Sequence, residues 1–159
     1  MRQSSVLRRS SLEYLSLSAV AKTAEEGQRL IKALSSCKIN SLRKFGLYCQ
    51  DYFVSMSSQQ TSSLFQWLIK QTELQAFAFR HNELTSDQTN LLIEFMTAKT
   101  KSKSSKLGGA DIHKSCNFDT DKSVELFLSF LEWSVSLKKF VLGRMVGKRT
   151  ISATIVDIV

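Results

Sequence analysis

Residues 74–84 read Leu74-Gln75-Ala76-Phe77-Ala78-Phe79-Arg80-His81-Asn82-Glu83-Leu84, and the apolar frame Leu74-x-x-Phe77-x-Phe79 returns four more times along the chain. The other copies are Leu12-x-x-Leu15-x-Leu17, Leu42-x-x-Phe45-x-Leu47, Leu107-x-x-Ala110-x-Ile112 and Leu137-x-x-Phe140-x-Leu142. Their first positions fall at 12, 42, 74, 107 and 137, separated by 30, 32, 33 and 30 residues. One frame at near-constant spacing marks an array of similar supersecondary units, each covering the one before it. Function in such an array is sought on a surface rather than in a buried chamber.

Each copy reads as strand, loop, helix and return loop. In an extended strand alternate side chains share a face, so frame positions four and six point to one side and position one joins them. Between the strands lie residues at helical spacing: Leu30 and Leu34; Leu64, Trp67 and Leu68; Leu92, Phe95 and Met96; Phe127, Phe130 and Leu131. Intervals of three and four place each set on one stripe, which covers the apolar side of the strands. Trp67, Trp133 and the phenylalanines read as core packing on the same ground. Ser86-Asp87 and Thr120-Asp121 supply cap oxygens for the third and fourth helices. The predicted fold is α/β, with about five parallel strands on a concave face and helices on a convex one. The stack curves because a helix is wider than the strand spacing of about 4.8 Å.

These residues resemble the leucine-rich repeats, and specifically the ribonuclease-inhibitor type, over Leu12 to Met145. The resemblance implies a solenoid in the form of a short horseshoe that serves protein–protein interaction as a scaffold. Asn82 stands where that family places an asparagine whose side chain satisfies backbone groups in the turn. Val20, Gln50, Ser115 and Met145 occupy the position in the other copies, and Cys49 lies one place early for the family's cysteine variant. The departures predict irregular loops.

The chain divides into a basic Ser/Arg-rich lead-in at 1–11, a repeat domain at 12–145 and an apolar tail at 146–159. The tail is β-branched and too short for a further unit, which leaves the end of the stack without an evident cap and predicts a longer array, a homo-oligomer or a multi-subunit assembly. Lys99 to Lys106 reads as a long solvated loop. The lead-in has the composition of an organelle transit peptide as an alternative to a solvated arm, and Leu7 to Leu12 forms a basic-directed phosphorylation pattern with Ser11 as acceptor.

With 43% hydrophobic residues in 159, the chain has ample material for one core. No stretch approaches the ~20 apolar residues that span a bilayer. Three cysteines without a C-x-x-C pair, and no signal-peptide core, predict reduced thiols in an intracellular, cytoplasmic protein. No nucleophile elbow, H-E-x-x-H or phosphate-binding glycine loop is present, so the reading is non-enzymatic, without cofactor or metal. The two histidines, His81 and His113, fall near the rim of adjacent predicted strands, with Asp111 beside His113 on the exposed face.

Charge carries the functional expectation. The non-core frame positions hold Arg43, Lys44, Arg80, Lys114, Lys138, Lys139 and Arg144 against Glu13 and Asp111, a large part of the chain's net +8. A concave surface of one sign favours an acidic protein partner. Tyr14 and Tyr48 on the same face supply rigid contact area. The expected partner-binding set is Tyr14, Arg43, Lys44, Tyr48, Arg80, His81, Asp111, His113, Lys138, Lys139 and Arg144. Nucleic acid is the rival ligand for such a basic, aromatic face, disfavoured because the cations are spread over separate strands. A structural subunit contacting its neighbours through ends and helices is the other alternative.

Overall fold

The computed structural model describes residues 12–18, 22–48, 56–134, 136–143 and 156–157. Five strands, β1 (Tyr14–Ser18), β2 (Lys44–Tyr48), β3 (Ala76–Arg80), β4 (Gly109–Asp111) and β5 (Lys139–Val141), lie parallel in one open sheet in chain order. Four helices connect them: α1 (Ala24–Ser35), α2 (Ser58–Ile69), α3 (Ser86–Lys101) and α4 (Asp121–Trp133). The frame sets the register. Leu15 pairs with Phe45, Phe45 with Phe77, Phe77 with Ala110, and Ala110 with Phe140. The ladder continues one residue before the strands at frame position two, where the carbonyls of Glu13, Arg43, Gln75 and Gly108 each accept from two amides of the next unit.

Frame positions one, four and six form the core with the inner stripes of the helices. Leu42, Leu74 and Leu107 are fully buried, as are Leu47, Phe79 and Ile112. Phe77 stacks on Phe45 at 6.3 Å and meets Phe95 of α3 edge-on at 5.2 Å, and Phe95 stacks on Phe65 of α2 at 5.5 Å. Rings therefore tie β3 to β2 and to the helix layer. Full burial of one such ring contributes about 1.5–3 kcal/mol, so the central units dominate stability.

The helices start where the chain offers a cap. Thr23, Ser57, Thr85 and Thr120 accept from the amide three residues on, and Gln60 and Gln88 complete capping boxes at α2 and α3. The α3 cap is thus Thr85, one residue ahead of the expected Ser86-Asp87. The expected loop at Lys99 to Lys106 is shorter than it reads, because α3 runs through Lys101. The half-buried Lys99 ammonium donates to the carbonyls of Ile69 and Gln71 at 3.2 and 2.7 Å and closes the end of α2. Burial lowers its pKa, while those carbonyls accept from two of its three N–H groups.

Asn82 performs the task that its position predicts: buried, its amide donates to the carbonyls of Leu47 in the preceding unit and Arg80 in its own, each at 3.1 Å. Ser115 in the next unit takes over with a single donor. Its hydroxyl is hydrogen-bonded to the carbonyls of Phe79 and His113, the equivalent two positions, so the departure from asparagine preserves the contacts. His81 and Lys114, which precede Asn82 and Ser115, both take left-handed backbone, with φ of 57° and 51°. That bend ends the strand and turns the following side chain inward. Val20, Cys49, Gln50 and Met145 lie outside the described residues, as do Ser11 and the rest of the lead-in.

Three expectations are corrected at the ends of the stack. A sixth strand, β6 (Val156–Asp157), pairs antiparallel with β5, Asp157 opposite Lys139 and Val156 opposite Phe140, so part of the tail covers the sheet edge expected to be uncapped. On α4, Phe130 is buried, but Leu131 is 42% and Trp133 59% exposed, because no following helix covers that side among the described residues. At the other end Leu12 is 37% exposed, and Ile31 rather than Leu30 or Leu34 is the buried hydrophobic side chain of α1. The first unit keeps the frame with Leu15 and Leu17 only half-buried, whereas Leu137, Phe140 and Leu142 of the last unit stay buried.

Removing the inward polar side chains tests this reading of the turn. Asn82→Ala and Ser115→Ala are each expected to lower the unfolding free energy in urea by about 1–3 kcal/mol, by leaving buried carbonyls without a donor. Ser104→Ala, on an exposed loop, is expected to stay within about 0.5 kcal/mol of wild type.

Candidate functional site

The face of the sheet opposite the helices carries frame positions three, five and seven. On it lies a hollow of ≈ 800 Å³ that crosses all five parallel strands. Its floor is built from small residues: Gly46, Ala76, Ala78 and Gly109, with Ser16 beside them. Its walls are Tyr14, Lys44, Tyr48, Arg80, Asp111 and Lys139. A ladder of small residues down the middle of a sheet leaves room above it, and larger side chains toward the strand ends enclose that room.

The walls are braced by contacts along and between strands. The Lys44 ammonium sits 5.3 Å over the Tyr14 ring, and the Arg80 guanidinium 5.9 Å over the Tyr48 ring. Tyr48 folds back over Gly46, where an added Cβ would lie 2.8 Å from the tyrosine ring. Arg80 Nε donates to Asp111 Oδ2 at 2.7 Å and Nη2 donates to the same oxygen. That hydrogen bond raises the Arg80 pKa, with the Asp111 charge adding to it. The second Asp111 oxygen accepts from the His113 amide at 3.2 Å. Asp111 therefore holds Arg80 in place rather than offering a free carboxylate.

Of the eleven residues expected in the site, Tyr14, Lys44, Tyr48, Arg80, Asp111 and Lys139 are brought together in the hollow. Arg43 and Lys138 stand one residue before their strands, and Arg43 pairs with Glu13 at 3.7 Å between two half-exposed side chains. His81 and His113 lie beyond the carboxyl ends of β3 and β4, with their rings 5.5 Å apart. Arg144 is outside the described residues. The hollow itself thus holds three cations and one carboxylate, a narrower excess than the count over all frame positions. Lys44 and Lys139 make no ion pair among the described residues, unlike Arg80.

The small floor is the part that charge counting missed. Its signal was present at frame positions three and five, where Gly46, Ala76, Ala78 and Gly109 stand in place of longer side chains.

Other chemistry finds little support in the geometry. Cys116 is buried and its thiol pKa is pushed up by that burial, so it is held as a neutral thiol. Among the described residues, no three histidine, cysteine or acidic side chains gather as they would around a metal ion, and no helix is long and apolar enough to cross a membrane. No protein-family profile matches the chain, and no curated protein shows significant similarity to it.

His113 supplies a test by pH. Its ring packs against Gly143, where an added Cβ would lie 1.8 Å from Nδ1. Desolvation lowers its pKa below 6.5, and the nearby His81, Lys114 and Arg80 charges act in the same sense against the opposing pull of Asp111. The folded state thus disfavours the imidazolium. The contribution of His113 is complete above the unfolded value near 6.5 and declines as pH falls from there through the lower folded value, since the unfolded chain takes up the proton first. Urea midpoints measured from pH 7.5 to 5 are expected to fall with pH, and His113→Gln to flatten part of that slope.

Proposed function

We propose that this chain is a leucine-rich-repeat module of the ribonuclease-inhibitor-like type, a non-enzymatic domain that binds an acidic protein surface through the open face of its strands. The observation that carries the reading is the hollow over Gly46, Ala76, Ala78 and Gly109, walled by two tyrosines and by Lys44 and Lys139. The in-register frame, a helix in every crossover and the inward Asn82 support the repeat type.

The mechanism follows from the shape. Small floor residues let a partner's backbone or side chain approach the sheet closely, and the tyrosines give rigid apolar area at little entropic cost. Lys44 and Lys139, set on β2 and β5, draw carboxylates to opposite ends of the hollow. Arg80, fixed by Asp111 and Tyr48, presents a preorganised rim. Rim charges of this kind act mainly on association rate and selectivity, so binding should weaken as salt is raised.

The exposed Leu128, Leu131 and Trp133 support a second reading, in which the chain fills a place in a larger assembly through its last helix.

Affinity capture from cell lysate with wild type and with the Lys44→Glu/Lys139→Glu variant separates the readings. Loss of bound proteins in the variant, by at least tenfold, is expected for an acidic partner on the sheet face. Unchanged capture refutes that site. Recovery of nucleic acid instead of protein, with affinity falling steeply in salt, would reassign the ligand.

A further inference from the structure

The molecule displays a second unusual surface, on the outer side of α4. Asp121, Glu125, Leu128 and Glu132 follow one another at helical spacing on the side away from the buried Ser123 and Phe130, with Leu131 on its flank. Leu128 is 59% exposed. In a chain of net charge +8, this helix carries three carboxylates against one lysine. An apolar residue bracketed by acids is the complement of a small-floored hollow bracketed by lysines, and the same chain possesses both.

We propose that the outer face of α4 docks into the strand-face hollow of a second copy of this chain, giving a head-to-tail, self-associating contact. The inference rests on the reading of that hollow as a site for acidic partners and names one such partner.

The dimensions agree. Thirteen residues of helix extend about 20 Å at 1.5 Å per residue, and five strands span about 19 Å at about 4.8 Å per interval. A helix laid across the strands therefore covers the hollow from β1 to β5. Lys44 and Lys139 stand three strand intervals apart, about 14 Å. Glu125 and Glu132 are separated by about 10 Å of helix rise, a difference that flexible lysine side chains absorb. Leu128 lies near the middle of the acidic pair, and Ala76 and Ala78 on β3 lie between the two lysines, so the apolar residue meets the low floor. Because donor and acceptor surfaces differ, the contact is heterologous and can propagate instead of closing at a pair.

That asymmetry sets the experiment, which uses the full chain followed by light scattering and sedimentation. Wild type is expected to exceed its 18.0 kDa chain mass increasingly with concentration and to return to it in high salt. Ala78→Trp fills the hollow and leaves α4 intact; Glu125→Lys/Glu132→Lys reverses α4 and leaves the hollow intact. Each variant alone is expected to remain a monomer, and an equimolar mixture to form a complex of two chains that grows no further. Circular dichroism checks folding, with Ala76→Arg and Leu128→Lys as the replacement pair if either variant unfolds. A wild type that stays monomeric up to its solubility limit, variants that associate like wild type, or a mixture that fails to pair would each overturn the proposal. Monomeric wild type together with partner loss in the Lys44→Glu/Lys139→Glu variant would leave the acidic-partner reading standing. Failure of both would remove the hollow as a binding site.

Discussion

Every unit of this protein has an apolar side that only its neighbours can cover, and that constraint organises the rest. Phe77 shows it in one residue: it pairs in register with Phe45 and Ala110, stacks on the Phe45 ring and meets Phe95 of the helix layer. The contacts with Phe45 and Ala110 cross to the units on either side, whereas Phe95 belongs to the helix of its own unit. A slip of one residue would turn each Leu/Phe frame toward solvent, so burial itself selects the register. Parallel order follows from the helical crossovers, and the free sheet face follows because all four helices contribute their stripes to one side.

Polar side chains complete what apolar contact leaves open. The turns after β3 and β4 bring carbonyls into the interior, and Asn82 and Ser115 supply the donors. Along the helix layer, Gln71 donates to the Ile39 carbonyl, Gln88 to the Met56 carbonyl, and the Trp67 indole to the Cys37 carbonyl. These bonds join residues about one unit apart in the chain, so they reinforce the same register as the rings. A buried carbonyl without a donor would cost more than an ordinary hydrogen bond contributes, which explains why Ser115 keeps a donor where the residue type differs from Asn82.

The periodic parts of the molecule were the legible parts. A frame repeated five times betrays strand positions and their pairing because burial acts identically in every unit. Features that occur once left weaker traces. The two-residue β6 pairs antiparallel, and nothing in Val156-Asp157 distinguishes it from the other β-branched residues of the tail. Leu131 and Trp133 share the spacing of buried residues, yet helical spacing tells which side of α4 they occupy and not whether another element lies there. Ser115 breaks the asparagine pattern by residue type while keeping its donor, and that equivalence is visible only in space. The site divides in the same way: Lys44, Tyr48, Arg80 and Lys139 were legible as exposed strand positions, whereas the bend at His81 and Lys114 carries the residues after it out of the hollow.

The architecture also accounts for why the open face and the outer side of α4 are the two surfaces with something to offer. On the sheet, core packing constrains positions four and six and leaves three, five and seven free to combine small residues with tyrosines and cations. On the last helix, Ser123 bonds to Asn90 of α3 and Phe130 packs on Phe140 of β5, and the side turned away carries Leu128 among carboxylates. An isolated exposed leucine is ordinary on a protein surface. Leu128 differs in being held between acids on a helix whose length matches the width of a basic, small-floored hollow formed by the same repeat. A fold built by laying like units side by side thus ends with unlike surfaces on its two layers, and their charges are opposite in sign.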